Sequence, residues 1–359
     1  MSKEVYIGVN STARKIKAIF IGVNGVARKV VAGFIGEANV ARQFFALSGV
    51  SYNSTKYLNS SRYSLAGATV GNGALFGGGF DSDRSAVSTV EYFNSSLGMY
   101  NATDLSVARG GLTAVTTGNA AVFAGGQEGT DSGSTYSTVV DIYNSSYTRT
   151  TTSLSSARGY LSGGKCSSYA VFGGGSSKST VIDAYNIYNW TSSTASLLVG
   201  RSDLAAAYVG NGSNYLLFGG GYPKTNEVDA INSVLTVSSI SSLSTARCAL
   251  AATTVGDYAL FGGGADSNVV DAYNSSLVKT TPTAMTYSLG ASLSATSVNG
   301  YALFQGKGYL EIYDSNLTHS ATLWPYNGTN YSGAASIGNY AIFAGGKTTN
   351  KVDIYNVTA

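Results

Sequence analysis

The stretch Ala259-Leu260-Phe261-Gly262-Gly263-Gly264 reads as a short apolar strand running into a glycine cluster. It recurs as ALFGGG at Ala74 to Gly79, AVFAGG at Ala121 to Gly126, AVFGGG at Ala170 to Gly175, LLFGGG at Leu216 to Gly221, ALFQGK at Ala302 to Lys307 and AIFAGG at Ala341 to Gly346. The phenylalanines fall at 76, 123, 172, 218, 261, 304 and 343, a spacing of 39 to 49 residues. A period of that length built from short strands is the signature of a propeller or a solenoid.

Working outward, each cluster is followed some fifteen residues later by an acid, a hydrophobic pair and Asn or Asp: EYFN from Glu91, DIYN from Asp141, DAYN from Asp183, DAIN from Asp229, DAYN from Asp271, EIYD from Glu311 and DIYN from Asp353. In five units a Leu and, four residues on, an Arg precede the cluster: Leu58/Arg62, Leu105/Arg109, Leu154/Arg158, Leu197/Arg201 and Leu243/Arg247. The last two units lack that Arg. One unit then reads as a small-residue strand (Leu250 to Val255), a Gly-Asp turn, the YALFGGG strand, a loop, the VVDAYN strand and a Thr/Ser-rich fourth strand. Four short strands with Gly, Asn and Ser turns make one antiparallel blade. The middle strands are apolar on both faces, which suits a sheet pressed between two neighbours. The Ala, Gly, Ser and Thr of the first strand suit the crowded centre of a wheel.

These landmarks resemble the kelch repeat, and residues 50–359 resemble a seven-bladed kelch-type β-propeller. The expected class is therefore all-β, seven four-stranded antiparallel blades preceded by a small β-meander or β-repeat module. The usual fourth-strand Trp is present only as Trp190 and Trp324. After Asn356 only three residues remain, so the seventh unit lacks a fourth strand of its own. Residues 50–57 occupy the place before Leu58 that a fourth strand holds elsewhere. They are expected to be the outer strand of the last blade, removing two open sheet edges.

Residues 1–48 follow a period of 14, in YIGVNSTARKIKAI from Tyr6, FIGVNGVARKVVAG from Phe20 and FIGEANVARQFF from Phe34. Asn24-Gly25 is a hairpin signal, and four strands with tips near 10, 24 and 38 are expected. The segment holds 7 of the 22 Lys+Arg and 2 of the 19 Asp+Glu, net +5, which leaves the propeller 15 against 17, net −2. One positive per strand among apolar residues fits a protein interface better than a phosphate track, so nucleic acid is not an expected partner. Arg14, Phe20, Arg28, Phe34 and Arg42 are the expected attachment residues. Tandem IGVNGVARKV segments resemble the N-terminal repeats of virion proteins from phages of Gram-positive bacteria. That resemblance implies attachment to other virion proteins through residues 1–48, a homo-oligomeric or multi-copy assembly, and a host-surface glycan as ligand.

Charged residues are only 11 % of the chain, a surface suited to work outside cells, yet the start Met1-Ser2-Lys3-Glu4-Val5 is not that of a signal peptide. No apolar run is long enough for a membrane span. A virion part, made in the host cytoplasm and released by lysis, reconciles the two. The single histidine, His319, excludes a His-rich copper or zinc site, and it reads as a surface residue of an outer strand. Cys166 and Cys248 read as free buried thiols. Asp81-Ser82-Asp83 lacks the glycine and distal glutamate of a calcium loop. No cofactor, metal or catalytic set is expected. Asn-x-Ser/Thr sequons such as Asn94-Ser95-Ser96 read as turn chemistry.

The candidate binding residues are Arg62, Arg109, Arg158, Arg201 and Arg247, which open the first strands on the glycine-cluster face. Either they form a partial ring that grips carboxylate or phosphate groups, or each ties its blade to the next through the recurring acids or backbone carbonyls. The loops after the clusters are longest in units one and two (Phe80 to Thr89, Gln127 to Thr138), so recognition should sit off-centre on that side. Two function classes follow: a non-enzymatic phage structural protein that displays the propeller, or a bacterial carbohydrate-active enzyme or lectin-like protein using acids on the long-loop face.

Overall fold

The computed structural model describes residues 49–210, 215–323, 330–347 and 349–358, together with strands within 6–46. It is a β-propeller of seven four-stranded antiparallel blades, with one three-residue 3-10 turn at Ser176–Lys178. In the fifth blade the strands are Ala251–Val255, Tyr258–Gly262, Val270–Tyr273 and Lys279–Thr280, innermost to outermost. Six blades are consecutive in sequence. The seventh takes its first three strands from Gly333–Ile337, Tyr340–Ala344 and Lys351–Val357 and its fourth from Val50–Tyr57, paired Lys351 to Tyr57 and Val357 to Val50.

The recurring residues define the packing between blades. Each second strand is completely buried at its Phe, which meets the third-strand aromatic edge to face, as in Phe123 with Tyr143 (5.7 Å) and Phe261 with Tyr273 (5.9 Å). Blade four has Ile231 at that place. The third-strand tyrosines also reach the preceding unit: Tyr143, Tyr185, Tyr273 and Tyr313 donate through Oη to the carbonyls of Thr103, Ser153, Ser241 and Thr283, at 2.7–2.8 Å. In the first six blades the Asn or Asp at the end of the third strand caps the following turn. Asn274 Oδ1, for example, accepts from the Ser276 and Val278 amides, both at 3.0 Å.

The glycine cluster is required by the next blade. Gly125 has φ +61°, and a Cβ there would lie 2.4 Å from the Arg158 carbonyl oxygen and 2.9 Å from the Leu161 side chain. The same carbonyl accepts a hydrogen bond from the Gly126 amide at 3.0 Å. A left-handed backbone without a side chain is the conformation this contact demands.

Two expectations are corrected. The N-terminal region contains six described strands rather than four, paired two by two as hairpins: Tyr6–Val9 with Thr12–Lys15, Ile19–Val23 with Val26–Val30, and Ala32–Glu37 with Val40–Ala46. The period of 14 is one hairpin, and the register repeats, with Ile7 opposite Arg14, Ile21 opposite Arg28 and Ile35 opposite Arg42. Phe20 lies opposite Lys29, and Phe34 opposite Gln43. Trp190 lies in the turn before the fourth strand Ser192–Ser196, at φ +59°, and not in the strand itself. Trp324 falls outside the described residues.

Candidate binding site

The five candidate arginines are closed to ligands. Arg62, Arg109, Arg158, Arg201 and Arg247 are at most 1 % exposed. Each guanidinium pairs with the third-strand acid of its own blade: Glu91 at 2.8 Å, Asp141 at 2.7 Å, Asp183 at 2.6 Å, Asp229 at 2.9 Å and Asp271 at 2.6 Å. Each also donates to the carbonyl of the second-strand Phe, at 3.0–3.3 Å. Burial pulls the guanidinium of Arg62, Arg109 and Arg247 below its ordinary value, and the paired acid opposes that pull. The acid in turn accepts from the amide just after the recurring Leu, as Asp183 does from Ser155 at 3.1 Å. The arginine thus locks its own blade, while its backbone carbonyl holds the preceding one.

Where the arginine is missing, other groups meet the acid. In blade six Glu311 receives the Thr286 and Tyr287 amides and lies 2.6 Å from His319 Nε2. His319 is therefore a partner of a buried acid and only 15 % exposed at its side chain, against the surface reading of the sequence. In blade seven Asp353 accepts from Gln305 Nε2 at 2.9 Å and Thr55 Oγ1 at 3.4 Å. Gln305 is the residue that breaks the glycine cluster of blade six, and this bond to the next blade accounts for the exception.

Two residues beyond each of the five arginines, and at the matching place in the other two units, stands a residue with positive φ that faces the axis. These are Ser64, Gly111, Tyr160, Asp203, Ala249, Ser292 and Tyr331, with φ from +50° to +68°. Their amides and carbonyls form a closed circle. Gly111 donates to Ser64, Tyr160 to Gly111, Asp203 to Tyr160, Ala249 to Asp203, Ser292 to Ala249, Tyr331 to Ser292 and Ser64 to Tyr331, at 2.8–3.0 Å. Sequence reasoning missed this circle because only one of its seven members is a glycine, the residue that ordinarily signals such a backbone.

Above the circle opens a cavity of about 580 Å³. Tyr63, Phe80, Tyr160, Tyr222 and Tyr331 supply its aromatic lining, and leucines 65, 112, 161, 204, 250 and 293 stand around it, one per blade in six blades. Its charged lining residues are Asp131, Asp203 and Lys347, and Cys248 adds a half-buried free thiol. The long loops of blades one and two are stitched to each other: the Ala86 amide donates to Gly129 O at 2.6 Å and the Asp131 amide to Arg84 O at 3.0 Å. This stitching carries Asp131 over blade one, where its carboxylate accepts from Tyr63 Oη and from Arg84 Nε at 2.6 Å.

The two carboxyls experience opposite surroundings. Hydrogen bonds from Tyr63 and Arg84 hold Asp131 below the usual carboxylate range despite partial burial. Burial pushes Asp203 up, opposed by one hydrogen bond from Ser202 Oγ at 2.7 Å. Burial and the bond to Asp131 raise the Tyr63 hydroxyl to about 12, so it stays a donor at neutral pH. Among the described residues no three His, Cys, Asp or Glu side chains are grouped as a metal site would need, and no helix is long and apolar enough to cross a membrane. No family model matches this sequence, and no curated protein matches it.

Proposed function

We propose that this chain is a bacteriophage virion structural protein that displays a kelch-like propeller and recognises host-surface glycans through the axial cavity. The observation that carries the recognition half is the cavity itself. Its size falls within the range of small-molecule sites, and its few polar groups converge among apolar and aromatic ones. Sugars present alternating hydroxyl edges and apolar C–H faces, and tyrosines with carboxylates match both. Six side chains are kept at positive φ around the cavity floor where glycine would be easier, and backbone strain of this kind concentrates at ligand sites. Attachment rests on the N-terminal hairpins, whose 14-residue sequence period is also their structural period, and on the likeness of that repeat to phage virion segments.

The direct test has two parts. A full-length chain should bind glycans on an array, and antibody against the propeller should label particles, while a chain without residues 1–48 should be left out of them. Failure of labelling with glycan binding intact would refute the virion reading alone.

A second reading, a carbohydrate-active enzyme, is favoured by one feature. Asp131 and Asp203 share one cavity and their proton affinities are pushed apart, the arrangement that assigns an acid and a base in glycosidases. Oligosaccharides cleaved by the full chain, with cleavage lost in both Asp131→Asn and Asp203→Asn, would decide for it.

A further inference from the structure

Resting on the reading of the axial cavity as a recognition surface, we propose that Asp203 determines its specificity and that it takes an uncharged saccharide chain, excluding saccharides that carry carboxylate, phosphate or sulfate groups. The argument begins with which charges in the cavity are already compensated. Asp131 has one oxygen taken by Arg84 Nε and the other by Tyr63 Oη. Lys347 adds its positive charge on that same side. Asp203 differs. Among the described residues its one side-chain hydrogen bond is accepted from the neutral hydroxyl of Ser202, and no Lys or Arg forms an ion pair with it. The neighbouring Cys248 thiol is held up by burial and by the Asp203 charge, so it stays protonated and adds no charge of its own. Lys224 reaches that thiol electrostatically but is exposed and does not line the cavity.

The position of Asp203 makes this charge count. It belongs to the closed backbone circle, held at φ +50° by its amide bond to Tyr160 and by the Ala249 amide on its own carbonyl. A carboxylate fixed on the cavity floor offers an acceptor to a pair of sugar hydroxyls at no cost of ordering. Above its raised pKa, Asp203 would repel an anionic group at about 4 Å strongly enough to weaken binding on the order of 100-fold or more. The walls are hydroxyls and rings from Tyr63, Tyr160, Tyr222 and Tyr331, which accommodate sugar faces and edges.

The experiment titrates the full-length chain with neutral hexamers (maltohexaose, cellohexaose, N-acetylchitohexaose, mannohexaose), with anionic hexagalacturonate and with cationic chitosan hexamer. At least one neutral hexamer should bind, and hexagalacturonate should be at least 100-fold weaker. Asp203→Asn should weaken the neutral ligand at least tenfold at an unchanged melting temperature, since Asn tolerates positive φ as well as Asp does. Asp203→Lys should admit hexagalacturonate. Tighter binding of hexagalacturonate or chitosan than of every neutral hexamer would overturn the proposal while leaving the cavity a recognition site. Absence of binding by every class would overturn both.

Discussion

At the scale of single residues, the buried ion pairs are the most exacting feature of the wheel. Arg158 and Asp183 are each about 1 % exposed and lie 2.6 Å apart. Removing one partner strands the other without water, and such changes cost about 3–5 kcal/mol, whereas apolar replacement of both is often near neutral. Arg158→Met should therefore lower the urea midpoint sharply, and adding Asp183→Leu should recover much of the loss. Equal damage from the single and the double change would show that the pair itself is not what holds the blade. Asp353 is the counter-case, because burial raises its pKa and its hydrogen-bond donors are the neutral Gln305 and Thr55. The folded state holds this proton more tightly than the unfolded chain does. Its contribution to stability is full below about pH 4, the unfolded value, and is lost as pH rises through the raised folded value. Asp353→Asn should flatten the fall in stability above about pH 4, and a denaturation series across pH would read it. The recurrence of acid and Arg was plain in sequence, and so was a structural role for the arginines as one of two readings. That the cavity lining comes two residues further on was not legible, because Ser64, Gly111, Tyr160, Asp203, Ala249, Ser292 and Tyr331 share a backbone conformation and no side-chain type.

At the scale of elements, the glycine clusters separate two reasons for having glycine. Gly125 and Gly118 both have positive φ, +61° and +100°, but a Cβ at Gly125 collides with the Arg158 carbonyl and one at Gly118 meets nothing within 4 Å. Gly118→Ala should cost only the backbone preference, roughly 1 kcal/mol. Gly125→Ala must also push the next blade outward and break the Gly126 to Arg158 bond, so its loss should be several times larger. Thermal melts of the two variants side by side check this, and similar losses would mean that the cluster answers only to local turn geometry. The blades were readable from sequence because each landmark answers to a contact that recurs in register. The hairpins of residues 6–46 were misread as four strands because a 14-residue period fixes the tips but not the places where pairing stops. Each tip joins a strand to its own partner and pairing stops between one hairpin and the next, so three tips make six strands.

At the scale of the whole molecule, the ring is held shut twice, by different means. Around the axis, seven backbone hydrogen bonds close a circle in which every blade contributes one donor and one acceptor. At the rim, Val50–Tyr57 pairs with Lys351–Val357, joining positions about 300 residues apart in the chain. Val50 and Val357 are fully buried in that seam, with Tyr355 beside them, so the latch is packed as well as hydrogen-bonded. Opening it would expose the edge of the third strand of blade seven and uncover Val352 and Ile354, which pack toward blade one. A chain beginning at Gly49 retains every contact of the seam, whereas one beginning at Leu58 loses the outer strand entirely. The first should melt at the temperature of the full chain. The second should melt well below it and in a broader transition, because blade seven can fray without waiting for the rest. Adding residues 49–57 as a separate peptide should restore part of the lost stability in proportion to the logarithm of its concentration, as binding linkage requires. If the shorter chain melted at the same temperature and as sharply, the axial circle alone would be sufficient to keep the wheel closed.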